Sequence, residues 1–309
     1  MKRVIKIASL ILALAILLAI DFTAYKQALN INTLIVETSE EKVANTNLED
    51  KEVVYFGVVS RFSPHIIYNG YQPVMDYLNK NTNYNFKLKL SNSYEETAKM
   101  LANNEVEVAF LGTFIYVTTR DKYNLKCILK PLNEDGSPFF HSALVATDNS
   151  SIKSINDIKG KRLALPSIQA FSGNWLPKYE LRRNNLSESD LSSIQHFPYH
   201  HMVIRQILSG NFDVGVVKDR VANEFLKKGI RIVQLSDPVP GSPIVAGPNS
   251  DPIIIKEITD AFLSIDPKKQ KYKEITKNWD IELSYGFLRA NYEDYDQLTK
   301  LLESGGTEK

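Results

Sequence analysis

The sequence predicts an α/β fold of two similar lobes with a cleft between them. From residue 52 onwards, short apolar strands alternate with segments of helical periodicity, and the alternation restarts after a polar link near residue 150. Each series runs strand, helix, strand, helix, strand, which favours a parallel sheet covered by helices. We therefore expect lobe 1 over 52–150, lobe 2 over 151–240, and a return to lobe 1 with C-terminal helices over 241–309.

The first series is recognised by its strand patterns. FKLKL alternates as a half-buried strand, whereas VEVAFLG is mostly apolar and predicts a buried one. Helices are predicted over Gln72–Asn79, where Val74 and Leu78 share a face, and over Tyr94–Asn103. The predicted strands of this series are 53–59, 86–90, 106–112, 125–130 and 141–147.

The second series repeats the same order. A helix is predicted after the turn at Ser172, a second over His200–Leu208 and a third from Arg220. The segment 243–247 could pair with a strand of this series or cross back to lobe 1. The tail from Asp251 has helical periodicity. The predicted strands of this series are 162–167, 193–197, 213–217 and 231–235.

Composition excludes several classes of protein. The 309 residues carry 37 basic and 36 acidic side chains, a net charge of +1, so no overall field attracts nucleic acid. The single cysteine, Cys127, excludes an internal disulfide and a Cys-rich metal cluster, and its apolar neighbours indicate a buried thiol.

The N-terminus predicts export from the cytoplasm. Basic residues precede Ile7–Ile20, fourteen residues without a charge, and Asp21 closes the run. This run reaches about 21 Å against a hydrocarbon core of roughly 30 Å, which favours a signal peptide, but a good cleavage site is lacking, which favours a retained membrane anchor. Residues 1–24 are therefore a signal peptide or an anchor, and the polar segment 25–51 is a tether.

The turns that follow the strands should converge on the cleft, because ligands of open α/β sheets bind beyond the carboxyl ends of the strands. Helix N-termini there present free N–H groups and suit an anion. A hydroxyl at such a turn is also often a plain helix cap. The predicted cleft turns are 60–65, 112–116, 169–174, 198–201 and 218–220. The candidate ligand contacts in them are Ser63, Thr113, Tyr116, Ser172, Gly173, Asn174, His200, His201 and Asp219.

Catalysis and metal binding are not expected. Ser172, His200 and Asp219 could form a nucleophile set on paper, but the sequence has no G-x-S-x-G elbow. A zinc site from His65, His200 and His201 lacks the usual spacing of metal-ligating histidines. We predict no enzymatic activity, no cofactor and no metal.

Several stretches of the chain resemble one family, the periplasmic substrate-binding proteins of phosphate, phosphite and phosphonate ABC importers, which have a type II periplasmic binding fold. Their number, order and spacing carry the resemblance, which covers about residues 53–265. The stretches are YQPVMDYL (71–78), VEVAFLGTFIYV (106–117), DGSPFFHSALVA (135–146), INDIKGKRLAL (155–165) and SDPVPGSPIVA (236–246).

The resemblance implies two lobes that close at a hinge on a small anion. The family's Ser-Thr-Ser-Gly turn falls on 170–173, where Ser172 and Gly173 match but Ala170 and Phe171 remove two hydroxyl donors. The family histidine falls on His200, whose charge should follow pH near 6 to 7. The implied function is delivery of a phosphonate-like oxyanion to an ABC importer permease. The alternative is a membrane-anchored sensor that reports its ligand to a signalling partner.

Overall fold

The computed structural model describes residues 48–303, except for the side chains of Glu49, Trp175 and Leu176. The predicted leader over 1–24 and all but the last four residues of the tether lie outside this range. Among the described residues, no helix has both the length and the apolar character required for crossing a membrane.

The strands form two large sheets and one short ribbon. Six strands belong to the first sheet, in the order β2-β1-β3-β12-β4-β13, and five to the second, in the order β10-β6-β9-β7-β8. The strands, numbered along the chain, are β1 Val53–Val58, β2 Asn85–Leu90, β3 Val108–Phe110, β4 Lys126–Pro131, β5 Phe139–Phe140, β6 Ser142–Thr147, β7 Arg162–Leu165, β8 Ser193–His196, β9 Val214–Lys218, β10 Ile230–Leu235, β11 Val239–Pro240, β12 Ile244–Ala246 and β13 Phe287–Arg289.

Each sheet is mixed, rather than wholly parallel as the alternation of strands and helices had favoured: one side is parallel and the other antiparallel. In the first sheet β1 runs parallel to β2 and β3, and in the second β7 runs parallel to β8 and β9. Strand β12 enters the first sheet antiparallel, between β3 and β4, and β6 pairs antiparallel with β9 and β10. The α/β class and the two-lobed type II architecture predicted from the sequence are confirmed.

The chain passes between the sheets twice, and the two passing segments pair with each other. Strand β5 lies between β4 of the first sheet and β6 of the second, and β11 lies between β10 of the second sheet and β12 of the first. These two strands form the antiparallel ribbon, in which Phe140 faces Val239. The ribbon therefore has the position expected of a hinge between two lobes.

The helices pack on the sheets through apolar stripes. Helix α1 buries Ile67, Tyr71, Val74 and Leu78, spaced by three or four residues, as an amphipathic helix should. The α-helices are α1 Pro64–Asn81, α2 Tyr94–Ala102, α3 Thr113–Tyr123, α4 Trp175–Arg183, α5 His200–Leu208, α6 Asp219–Phe225, α7 Pro252–Leu263, α8 Gln270–Thr276 and α9 Asp296–Glu303.

Several features differ from the sequence-based prediction. The tail from Asp251 is not helical throughout, because β13 lies in it and pairs with β4. Strand β6 was expected in the first lobe, but it pairs only within the second sheet, so the chain changes sheets before residue 142 and not near residue 150. Helix α1 begins at Pro64, eight residues before the predicted Gln72, because proline suits the first helical turn. Helix α4 begins at Trp175, after a separate 3₁₀ turn over Phe171–Gly173.

Candidate functional site

A small cavity lies where turns from both sheets meet. Its volume is about 40 Å³, enough for about three water molecules. Both lobes and the C-terminal segment contribute to its wall. The lining residues are Val59, Arg61, Tyr94, Gly112, Thr113, Phe140, Ala170, Phe171, Ser172, His200, Lys218, Ser242 and Glu282.

Arg61 brings a buried positive charge from the first lobe. It follows β1, and its guanidinium donates hydrogen bonds to the carboxylates of Asp280 and Glu282 and, at 3.2 Å, to the hydroxyl of Tyr71. The Arg61 side chain is only 7% exposed. The two carboxylates hold the pKa of Arg61 well above its usual value despite its burial, so it stays charged.

Lys218, the last residue of β9, brings a second buried cation from the other lobe. Its Nζ lies 2.6 Å from Oε2 of Glu282 and 3.1 Å from Oγ of Ser242. Burial lowers the pKa of Lys218 to about 8, and the positive charges of Arg220 and Arg61 add to this, whereas Glu282 opposes it. Lys218 is therefore charged at neutral pH and loses its proton in mildly alkaline solution.

His200 is a neutral donor at the start of α5. Its Nδ1 accepts a hydrogen bond of 3.3 Å from the backbone N–H of Lys218, so in the neutral ring Nε2 carries the proton. Burial lowers the pKa of His200 to about 3, and the nearby positive charges of Lys218 and Arg61 contribute. The prediction that this histidine titrates near pH 6 to 7 is corrected, because a buried imidazole beside two cations does not take up a proton there.

Ser172 and Thr113 both line the cavity, but their hydroxyl groups are committed differently. Ser142 donates a hydrogen bond of 2.7 Å to Oγ of Ser172, which leaves the proton of Ser172 available for a ligand. Thr113 donates its own proton to the carbonyl oxygen of Pro240 at 3.0 Å, so it can offer a ligand only an acceptor.

Three of the predicted contacts lie next to the cavity but outside its lining. Gly173 is buried behind Ser172, and Asn174 ends the 3₁₀ turn, with its N–H directed to the carbonyl oxygen of Phe171 at 3.5 Å. Ser63 precedes α1 and makes no capping hydrogen bond with its side chain. None of the three residues lines the cavity, and the N–H of Gly173 donates to the carbonyl oxygen of Ala170 at 3.0 Å.

Three further predicted contacts point elsewhere. Tyr116 is fully buried in the first lobe, with its ring 4.9 Å from that of Tyr295. His201 stacks between Phe62 and Tyr199 at ring distances of 5.8 and 5.5 Å, a contact between segments of the two lobes. Asp219 accepts hydrogen bonds from backbone N–H groups, including that of His141 at 2.9 Å, and faces a neighbouring groove.

The five buried charged side chains at the site have a net positive charge. Arg61, Lys218 and Arg220 carry three positive charges, and Asp280 and Glu282 carry two negative ones, so the cluster has a net charge of +1 with His200 neutral. All five charged side chains are less than a tenth exposed. A buried cluster with an excess of one cation suits an anion as the additional partner.

The fold and the site together define a class. Two α/β lobes, two paired segments connecting them, and between them a small cavity with an excess of positive charge are the arrangement of a type II periplasmic solute-binding protein.

The family follows from sequence comparison. The profile of the family described as "ABC transporter, phosphonate, periplasmic substrate-binding protein" matches residues 56–295, and the chain belongs to this family. Its members are exported solute-binding proteins of ABC transporters rather than enzymes, as the sequence analysis predicted.

Individual relatives agree with this assignment. The chain is 23% identical to the phosphonates-binding periplasmic protein of Escherichia coli over 229 residues, 70% of this chain and 67% of that one. It is 24% identical to a phosphate-import protein of Mycolicibacterium smegmatis over 263 residues, 77% of this chain and 81% of the relative. These relatives are transport proteins, and they lend no support to the alternative of a sensor.

Solved structures share the fold. A binding protein of a phosphonate ABC transporter from Pseudomonas aeruginosa has a TM-score of 0.71 at 18% identity, covering 82% of this chain and 87% of that one. A Prochlorococcus marinus protein, solved in complex with methylphosphonate, also has a TM-score of 0.71 at 18% identity, covering 83% of this chain and 99% of that one.

Proposed function

We propose that the cavity binds a small phosphonate-like oxyanion, which this exported protein delivers to the permease of an ABC importer. The observation that carries the proposal is the excess positive charge of a small buried cavity that also presents neutral hydrogen-bond donors. The methylphosphonate bound by the Prochlorococcus marinus relative supports this class of ligand.

Three donors are free to hold the oxygens of such a ligand. Ser172 retains its hydroxyl proton, His200 carries a proton on Nε2, and Lys218 has used only two of its three N–H groups. A hydrogen bond to a charged group contributes about 1.5–3 kcal/mol. These donors compensate in part for the hydroxyl groups that Ala170 and Phe171 lack.

The rest of the wall suits a short apolar substituent on the anion. Ala170, Phe171 and Phe140 line the cavity, and the rings of Phe140 and Phe171 lie 6.3 Å apart, edge to face. A phosphonate differs from phosphate in having a carbon substituent, which such a wall can contact. The small volume favours a ligand of a few heavy atoms.

A thermal-shift series tests the proposal. Phosphate, phosphite, methylphosphonate and 2-aminoethylphosphonate should be compared at up to millimolar concentrations, with glucose as the uncharged control. A rise in melting temperature with at least one anion is expected, because a ligand that binds only the native state stabilises it. The absence of any shift with all four anions would remove the phosphonate-like ligand class.

Ser172→Ala should weaken anion binding by about 10- to 100-fold, the equivalent of one hydrogen bond to a charged group. The loss of stability should be small, about 1 kcal/mol, because one hydrogen bond between neutral groups is removed. Isothermal titration calorimetry and urea unfolding measure the two effects.

Ser142→Ala is the matched control for Ser172→Ala. It removes the same hydrogen bond between the two serines but leaves the hydroxyl of Ser172 in the cavity. It should therefore cost similar stability and much less affinity. Equal losses of affinity in the two variants would mean that Ser172 does not contact the ligand.

The affinity for the anion should fall above about pH 8. Lys218 is charged below that pH and neutral above it, so its attraction for the ligand is present at pH 7 and is lost as the pH rises. Calorimetry between pH 6 and 9.5 measures the decline. Lys218→Met is the control, because its affinity changes with pH only through groups other than Lys218, including the ligand.

If the ratio of the wild-type affinity to the affinity of Lys218→Met does not change with pH, Lys218 does not have this role.

We further propose that residues 1–24 direct export and that 25–51 separate the folded body from the membrane when the leader is retained. Mass spectrometry of the mature N-terminus distinguishes the two forms. A chain that begins after about residue 24 is a released binding protein, and an intact leader indicates anchoring to the membrane.

A further inference from the structure

Glu282 lies in the wall of the cavity, between the two cations that would attract the ligand. We propose that Glu282 is a built-in counter-anion of the binding site, which competes with the ligand for Lys218 and so limits both the affinity for anions and the charge that the site accepts. This inference rests on the proposed function, because it assigns a role within the same anion site.

Both oxygens of the Glu282 carboxylate are held by cations. Oε1 accepts from Nη1 of Arg61, and Oε2 lies 2.6 Å from Nζ of Lys218 and 3.9 Å from Nη1 of Arg220. The Glu282 side chain is 3% exposed. A ligand oxyanion that approaches Lys218 therefore meets a carboxylate already bound to the same ammonium group.

The backbone holds this carboxylate in place. Glu282 belongs to the 3₁₀ turn Ile281–Leu283, where its N–H donates to Oδ1 of Asp280 at 2.9 Å. The N–H of Asp280 in turn donates to the carbonyl oxygen of Gly70 in α1 at 2.8 Å. Because the turn is fixed to α1, the Glu282 carboxylate has little freedom to withdraw from the cavity.

The charge balance shows what Glu282 does to the ligand. With Glu282 charged, the five buried groups have a net charge of +1, and a singly charged anion neutralises them. Without its charge the same groups have a net charge of +2 and would attract a doubly charged oxyanion more strongly. Glu282 thus favours ligands with one negative charge over ligands with two.

The same arrangement disfavours Glu282 as a partner for an ammonium group on the ligand. A carboxylate in contact with Arg61 and Lys218, and near Arg220, lies in a strongly positive environment. A ligand ammonium group brought there would be a fourth cation, repelled by the three already present. We therefore expect Glu282 to oppose anion binding rather than to recognise an amino-substituted ligand.

The test compares Glu282→Gln with Asp280→Asn by calorimetry with methylphosphonate at pH 7. Both variants remove one buried negative charge next to Arg61, but only Glu282 lines the cavity and contacts Lys218. Glu282→Gln should bind methylphosphonate at least tenfold more tightly than the wild-type protein. For Asp280→Asn the gain in affinity should be less than threefold. Equal gains in both variants, or no gain or a loss in Glu282→Gln, would overturn the competing role.

Titration with 2-aminoethylphosphonate separates competition from recognition of an ammonium group. Competition predicts tighter binding by Glu282→Gln for this ligand as well. Weaker binding by Glu282→Gln, with tighter binding of methylphosphonate, would show instead that Glu282 holds the amino group.

A second variant keeps the inference testable if Glu282→Gln does not fold. Glu282→Asp retains the charge but shortens the side chain by one methylene, which withdraws the carboxylate from Lys218, and it should bind methylphosphonate about threefold more tightly. Unchanged affinity in Glu282→Asp would count against competition. If neither the wild-type protein nor any variant binds any phosphonate, the proposed function itself fails; a wild-type protein that binds while the variants show no gain removes only the role of Glu282.

Discussion

Arg61→Met should lower the free energy of unfolding by about 3–5 kcal/mol, the usual cost of removing one partner from a buried ion pair. Arg61 neutralises both Asp280 and Glu282, and all three side chains are at most 7% exposed. Methionine has a similar length and leaves no large cavity. The loss of stability therefore measures the cost of leaving the two buried carboxylates without their cation. Urea unfolding at pH 7 measures the difference.

An exposed ion pair of the same chemistry is the control for this prediction. Arg162 lies 2.8 Å from Asp213 in the second lobe, with side chains 43% and 31% exposed. Because water already solvates both groups, Arg162→Met should cost only about 0–1 kcal/mol. A similar loss of stability in the two variants would mean that burial of Arg61 does not determine its contribution.

The alternation of strands and helices depends on the residue pattern within each segment, and the sequence predicted it well. Helix α5 spans the predicted residues His200–Leu208, and the predicted strands overlap the observed ones to within a few residues. The strand with which a given strand pairs is not determined by the residue pattern of that strand alone. The apolar pattern of β6 fits either sheet, and only its pairing with β9 and β10 places it in the second.

The turns that form the cavity could be predicted, but not all of the side chains that they contribute. The predicted cleft turns over 60–65 and 218–220 do line the cavity, through Arg61 and Lys218 rather than through Ser63 and Asp219. A lysine or arginine in a turn is usually solvated, so its charge gives no signal of burial. Here Arg61 is paired with the carboxylates of Asp280 and Glu282, and Lys218 with that of Glu282.

Glu282 itself could not be found from the sequence. It is 221 residues from Arg61 and 64 residues from Lys218 along the chain, and it belongs to a short turn without a motif. The same limit applies to the protonation of His200, because its pKa is set by burial and by cations that are close only in the fold. The sequence therefore indicated an anion site but not its charge balance.

Gly173→Ala should lower the free energy of unfolding by about 3 kcal/mol and weaken anion binding together with it. A Cβ at Gly173 would lie 2.1 Å from the carbonyl oxygen of Ser167 and 2.7 Å from that of Pro166. Both are backbone atoms, so no rotation of a side chain can relieve the contact. The 3₁₀ turn must move, and Ser172, which belongs to it, moves out of its place in the cavity.

Gly112→Ala provides the matched control for this last prediction, because Gly112 also lines the cavity at the start of a helix. A Cβ there would meet only ring carbons of Tyr94 at 3.5 Å, an ordinary van der Waals distance. Gly112→Ala should therefore change the stability by less than about 1 kcal/mol, which thermal unfolding of both variants can measure. If Gly173→Ala were as stable as Gly112→Ala, the turn could accept a side chain, and the close backbone approach at Gly173 would not be what holds Ser172 in position.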